Sequence, residues 1–269
     1  MIIRRLKIFI STVYLSIRNI KNFLINTSSN NSCVVLYYHS VLDNQKDNFI
    51  QQLDYLSKKY SFISLRSLNS LPQNKNLISI TFDDGLSSIL KNALPELKKR
   101  GIPTTIFIPA ANIDSYPKWE QKGQEIYYSD KIMSKDEIKI LSDLGVEIAS
   151  HTLKHTDLRN VSTEAANEEL QLSKSILEEI TNKEIVSFSF PYGSYTDDLI
   201  RLAIDCGYNF VYTTQPEIIS FPAKKKVFGR VSVEPDDSLL EFQLKAAGAY
   251  SWLPWAIRFK RKIKNILST

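Results

Sequence analysis

The residues of this sequence best suited to chemistry are two adjacent aspartates and three histidines. Asp83 and Asp84 stand together in Thr81-Phe82-Asp83-Asp84-Gly85, and His151 and His155 stand four apart in Ser150-His151-Thr152-Leu153-Lys154-His155. Neighbouring carboxylates repel, which raises one pKa unless a cation relieves them. One Asp with two imidazoles makes a three-ligand set that leaves a coordination position open, the pattern of hydrolytic zinc sites. The other Asp would stay free as a base toward water acidified by the metal. The four-residue spacing of the histidines suggests one side of a helical turn. Each fragment also has a plain structural reading. Asp-Asp-Gly is a common turn after a strand, a lone H-x-x-x-H is commonly coincidence, and His39 by itself reads as an ordinary hydrogen-bonded strand end.

Placement of these residues favours a site. Short β-rich runs cover residues 33–38, 77–82, 104–109, 146–150, 186–190, 209–213 and 227–231. Helical patterns lie between most of them, at 49–59, 86–100, 134–144, 163–181 and 196–206. Ser134 and Glu137 have capping-box spacing, and Gly101, Gly145 and Gly207 follow helix ends. Strands separated by helices imply a parallel sheet with crossovers, and about seven of them suit a closed or nearly closed (β/α) barrel. In such folds the chemistry collects at the C-terminal ends of the strands. That is where Asp83, His151, the Pro191-Tyr192-Gly193 turn and His39 fall, so all three histidines lie just past a strand.

Composition sets the outer limits. With 269 residues, 43% apolar and 23% charged, the chain reads as one globular α/β unit with tails, not as a disordered, collagen-like or disulfide-stapled one. Cys33 and Cys206 form no C-x-x-C pair, and no run of 18 apolar residues suggests an ordinary spanning helix. The net charge of +5 is unevenly spread. Arg4, Arg5, Lys7, Arg18 and Lys21 lie in residues 1–25 without an acid. Lys245, Arg258, Lys260, Arg261, Lys262 and Lys264 lie in 245–269, again without one, so residues 26–244 are net acidic. Such a body gives little reason to expect nucleic acid.

Both ends read as basic amphipathic segments. Leu6, Phe9, Val13, Ile17 and Ile20 recur at helical spacing within residues 1–25. The stretch has the charged start and apolar middle of a secretory signal, but Arg18-Asn19-Ile20-Lys21 stands where small residues should allow cleavage. This favours a cytoplasmic or membrane-surface location, with secretion left open. In residues 252–269, Trp252 and Trp255 precede a basic face suited to an anionic headgroup interface. The plainer alternative is that both helices pack on the domain and solvate their basic faces. Oligomeric state is not legible.

The three motifs Thr81-Phe82-Asp83-Asp84-Gly85, Ser150-His151-Thr152-Leu153-Lys154-His155 and Phe190-Pro191-Tyr192-Gly193 resemble, in order, those of the polysaccharide deacetylase (NodB-homology, carbohydrate esterase) family. The resemblance covers roughly residues 33–248, which it sets apart as a catalytic domain between the two terminal segments. It implies a distorted (β/α) barrel that removes acetyl groups from an N-acetylated amino-sugar glycan or glycolipid. It also implies Asp83 as general base, and Asp84, His151 and His155 as ligands of Zn2+ or another divalent transition metal. Tyr192 would wall the groove and offer its backbone N–H to the oxyanion.

Two departures stand out. An arginine precedes the Pro-Tyr segment in many members, where this chain has Ser189 or Phe190, and no histidine follows His155 to act as general acid. Leu36-Tyr37-Tyr38-His39-Ser40-Val41, however, resembles the first strand of a circularly permuted branch that includes poly-N-acetylglucosamine deacetylases. That resemblance makes His39 the general acid, and makes Arg230 a late strand-end arginine that either orients Asp83 or forms a structural salt bridge. Two other functions fit the same barrel: a non-catalytic sugar-binding module, and an amidohydrolase of a small N-acyl or N-formyl amine. A binding module has no need of a base beside a metal.

Overall fold

Alternation along the strands sorts the core of this protein into two layers. The computed structural model describes residues 2–24, 31–67, 75–119, 129–221 and 225–267. The strands are β1 (Asn31–Tyr38), β2 (Ser61–Phe62), β3 (Lys75–Phe82), β4 (Thr104–Ile108), β5 (Glu147–Ser150), β6 (Ser187–Ser189), β7 (Phe210–Thr213), β8 (Ile219–Ser220), β9 (Val227–Gly229) and β10 (Val231–Ser232). The helices are α1 (Ile2–Leu24), α2 (Lys46–Lys59), α3 (Leu94–Lys99), α4 (Lys135–Asp143), α5 (Thr163–Thr181), α6 (Asp197–Asp205), α7 (Leu239–Ala246) and α8 (Leu253–Leu267). Strand order is β10-β1-β3-β4-β5-β6-β7-β9, parallel throughout, with β8 antiparallel on β1. Only Arg230 separates β9 from β10, so the sheet returns to its first strand and forms a nearly closed barrel.

Successive side chains of a strand face opposite ways. Val34, Leu36, Tyr38, Ile78, Ile80, Phe82, Ile106 and Ile108 pack outward with Phe49, Leu53, Ile138, Leu170 and Leu177 of the helices. Their alternates Cys33, Val35, Leu77, Phe107, Ala149, Tyr212 and Phe228 fill the barrel. The lumen also carries polar groups, several of them paired. Glu147, for example, accepts from Thr105 (2.9 Å) and Ser187 (2.8 Å).

Each expected strand is present, and the helix expected at 163–181 coincides with α5. Ser134 and Glu137 close their capping box at the start of α4. Three places differ from expectation. The run 227–231 is two strands, because Val227–Gly229 pairs with β7 while Val231–Ser232 pairs with β1. The helix expected at 86–100 contains a π turn, Ile89–Ala93, in which Leu94 donates to Ile89; α3 follows from Leu94, with Pro95, which has no N–H, in its first turn. Helix α7 goes unread in the sequence because Leu240, Phe242 and Leu244 alternate as a strand would.

Candidate active site

Strand parity explains how the candidate residues meet. His39 continues the inward series Cys33, Val35, Tyr37; Asp83 continues Leu77, Ser79, Thr81; His151 continues Glu147, Ala149; and Ser189 follows Ser187. All therefore turn toward the barrel axis at the C-terminal rim. Asp84 has the opposite parity and would face the helices if the strand simply continued. Instead its φ of 68°, followed by Gly85 at 64°, swings the carboxylate over the rim. Aspartate tolerates this left-handed conformation better than most residues.

Asp84 Oδ1 lies 3.3 Å from His155 Nε2 and 3.6 Å from His151 Nε2. All three residues are buried, and Asp84 Oδ1 has no hydrogen-bond donor. The donor atoms lie within 4.8 Å of one another and make the Asp/His/His group that could hold a metal ion among the described residues. A tetrahedral ion about 2.1 Å from each donor would space them about 3.4 Å apart, so the set fits a zinc-like cation. His151 Nδ1 is 2.8 Å from the Ser189 carbonyl, which can only accept. The proton therefore sits on Nδ1, and the Nε2 lone pair faces Asp84. Burial lowers the His151 pKa to about 4 despite the attraction of Asp83, so the ring is neutral and able to ligate. Burial pushes Asp84 up, but His155 and the other two histidines outweigh it and hold the carboxyl well below its usual range.

The expected helical turn from His151 to His155 is not present. The segment is an irregular loop with Thr152 at φ 66° and His155 at φ 60°. Left-handed backbone is costly for a β-branched residue such as Thr152, and it persists only where surrounding contacts impose it. Glu169 of α5 supplies such contacts: it accepts from the backbone N–H groups of Leu153 and Lys154 and from the Thr156 hydroxyl, each at 2.9 Å. Of the six non-glycine left-handed residues among those described, Asp84, Thr152, His155 and Tyr192 belong to this rim.

Asp83 lies in a different setting. Both of its oxygens accept from Arg230, at 2.6 and 2.8 Å. The fully buried guanidinium also donates to Thr81 and Ser189 and lies against the rings of Tyr37 (4.6 Å) and Phe107 (4.8 Å). The small side chain at 189 thus receives an arginine that comes from the β9–β10 junction. Burial raises the Asp83 pKa, but Arg230, followed by His151, outweighs it and the net shift is downward. His39 adds a further downward pull on both aspartates, which places it within electrostatic reach of each. Its Nδ1 is 4.0 Å from the Glu234 carboxylate.

Tyr192 stands at φ 58° in the turn after β6, and its phenol lies 3.2 Å from His155 Nδ1. Gly193 follows at φ 61°, where a Cβ would fall 1.8 Å from Thr214 Oγ1, so the turn requires glycine there. Trp119 stacks on the His155 ring with centroids 4.1 Å apart.

All seven candidates from the sequence thus reach one rim. Sequence reasoning missed Glu169, Trp119, Glu234 and the ring contacts of Arg230. Glu169 left a signal, a charge on the buried stripe of α5 with Ala166, Leu170, Ser173 and Leu177. The others left none, because their roles depend on what folds against them.

A nearly closed parallel barrel with an Asp/His/His cluster beside a buried Asp–Arg pair defines the class of protein: a (β/α) barrel whose rim carries a group that could hold a metal ion. The particular family follows from comparison. The polysaccharide deacetylase family model matches residues 70–211, and the chain belongs to that family. YxkH of Bacillus subtilis (strain 168), whose name places it among the polysaccharide deacetylases, is 26% identical over 162 residues, covering 60% of this chain and 53% of that protein. This chain therefore spans about half the length of that relative. The poly-beta-1,6-N-acetyl-D-glucosamine N-deacetylase of Staphylococcus epidermidis is 25% identical over 211 residues, 74% of this chain and 69% of that one. The solved structure of IcaB from Ammonifex degensii superposes with a TM-score of 0.66 at 27% identity, covering 82% of this chain and 97% of that one.

Proposed function

We propose that this protein removes N-acetyl groups from an N-acetylated amino-sugar glycan or glycolipid. The observation that carries the reading is the pairing of two unlike carboxylates at one rim: Asp83 held ionised by Arg230, and Asp84 grouped with two imidazoles. A binding module would gain nothing from a buried ionised base beside a cation site. The likeness to a protein named poly-beta-1,6-N-acetyl-D-glucosamine N-deacetylase supports this substrate class.

In this reading Asp84, His151 and His155 would hold the divalent cation. When bound, that ion polarises the acetyl carbonyl and acidifies water, the help that a carboxylate of low proton affinity needs. Asp83 orients the attacking water and takes its proton, while Arg230 fixes both carboxylate oxygens and keeps the group charged. The Tyr192 backbone N–H serves the developing oxyanion. His39 gives a proton to the leaving amine. The Glu234 carboxylate, 4.0 Å from His39 Nδ1, is a polar neighbour of the ring.

The test is acetate release from N-acetylglucosamine oligomers by the metal-depleted chain, before and after zinc is restored. Zinc should restore turnover. His39→Ala should lower it about 10²–10⁴-fold while metal content stays the same. That loss should shrink on acetyl esters, whose leaving group needs less protonation. Equal losses on amide and ester, or loss of metal, would remove His39 from the general-acid role. Turnover confined to small N-acyl or N-formyl amines would replace the glycan reading.

A further inference from the structure

Helix α1 sits on the domain with its more apolar stripe turned away from it. The side tied to the protein is largely polar. Arg4 pairs with Asp237 and Glu241 at the start of α7, Ser11 accepts from the Trp252 indole, and Arg18 donates to the carbonyls of Ala247 and Gly248 at the end of α7. Ile8 and Leu15 add a small apolar contact with Leu244, Ala249, Tyr250 and Leu253. The opposite side carries Leu6, Phe9, Val13, Ile17 and Ile20, with relative exposures of 55, 66, 42, 61 and 60%. These positions follow the helical repeat and form one stripe. Helix α8 begins against the middle of α1, where Ser251 and Trp252 meet Tyr14 and Ser11, and it too exposes apolar side chains, Trp255, Phe259 and Ile263, the first two rings stacked.

A water-soluble surface rarely leaves a contiguous apolar stripe of this length uncovered. Charge identifies what covers it. Neither helix contains an acidic residue, and exposed Arg5 flanks the stripe on one edge while Lys7 and Lys21 flank it on the other. Exposed Arg258 and Lys260 continue the basic character along α8. A second copy of the chain would bring these like charges together, whereas an anionic bilayer neutralises them and takes up the apolar side chains. No helix among the described residues is long and apolar enough to cross a membrane, and an interfacial helix needs no such length of apolar sequence.

We propose that α1 and α8 form one docking surface for an anionic lipid bilayer, with α1 lying in the headgroup plane and its polar side holding the barrel. This surface is separate from the metal-binding rim and does not depend on the reaction assigned to it.

The experiment is flotation of the full chain with vesicles of phosphatidylglycerol and phosphatidylcholine in equal parts, and with phosphatidylcholine alone. The chain should float with the anionic vesicles at low salt and be released as salt rises. Phe9→Glu with Ile17→Glu, both at exposed positions, should weaken partitioning more than about tenfold. Loss of Arg5 and Lys7 charge through R5Q and K7Q should weaken it about fivefold per residue. Thermal melting of each variant shows whether the barrel is intact. Failure of the full chain to bind anionic vesicles at low salt would overturn the proposal. So would binding that folded Phe9→Glu/Ile17→Glu retains unchanged, or a dimer in solution that those substitutions split.

Discussion

Asp83 and Asp84 are adjacent in the chain and alike in chemistry, yet the fold puts them into two different halves of the rim. Asp83 keeps the inward parity of β3 and meets a guanidinium that fills both of its oxygens. Asp84 is turned by a left-handed backbone toward two neutral-capable imidazoles, and its Oδ1 is buried without a donor. One half is closed and already compensated. The other is an electronegative cluster with room for a cation between its donors. Identical side chains thus acquire different surroundings from backbone direction and from what each oxygen faces.

Exchanging the two carboxylates one at a time should break this contrast most sharply. Under the proposed function Asp84→Asn removes a metal ligand, so both bound zinc and deacetylation should fall to background. Asp83→Asn should keep the zinc and lose turnover by about 10²–10⁴-fold. Elemental analysis beside acetate release distinguishes them, and equal zinc loss in both variants would erase the division between the halves.

A smaller effect tests how the open half is held. Glu169 touches none of the three donor atoms but accepts three hydrogen bonds from the loop that carries His155. Glu169→Gln should weaken zinc binding about 10–100-fold, the range typical of outer-shell partners. Zinc affinity equal to that of the wild type in a competition titration would mean the loop holds its left-handed geometry without this anchor.

The closed half is tested by Arg230→Lys, which keeps a positive charge but loses the two-pronged contact. Arg230 is what lowers the Asp83 pKa against burial, so weakening it lets burial push the pKa up. The acid limb of the kcat/KM profile should move to higher pH. An unmoved limb would show that Arg230 does not set the charge state of Asp83.

Acid stability should show the least effect. His151 is lowered from 6.5 to about 4 in the folded chain. Its unfolded form therefore takes up a proton first, and the metal-free protein should lose stability as pH falls from 6.5 toward 4. Below that range the loss should continue as protons compete with the lowered Asp83 and Asp84. A melting temperature that stays flat from pH 6.5 to 4 would contradict the buried neutral His151.

The sequence by itself determined the alternation of strand and helix, the strand-end position of every histidine, and the residues that gather at the rim. These follow from local rules, because period-two patterning fixes which residues face inward, and parallel strands bring their C-terminal ends together. Arg230 was legible as a candidate but not as the residue at which the strand passes from β7 to β1, since that depends on closure of the sheet. The His151–His155 spacing suggested a helical turn, whereas the loop is shaped by Glu169 from a distant helix. Likewise the amphipathic pattern of α1 was plain in the sequence, but an apolar stripe does not state which way it faces. Only the contacts of Arg4, Ser11 and Arg18 with residues in and around α7 decided that it faces outward, because contacts between segments far apart in the chain leave no periodic trace in either one.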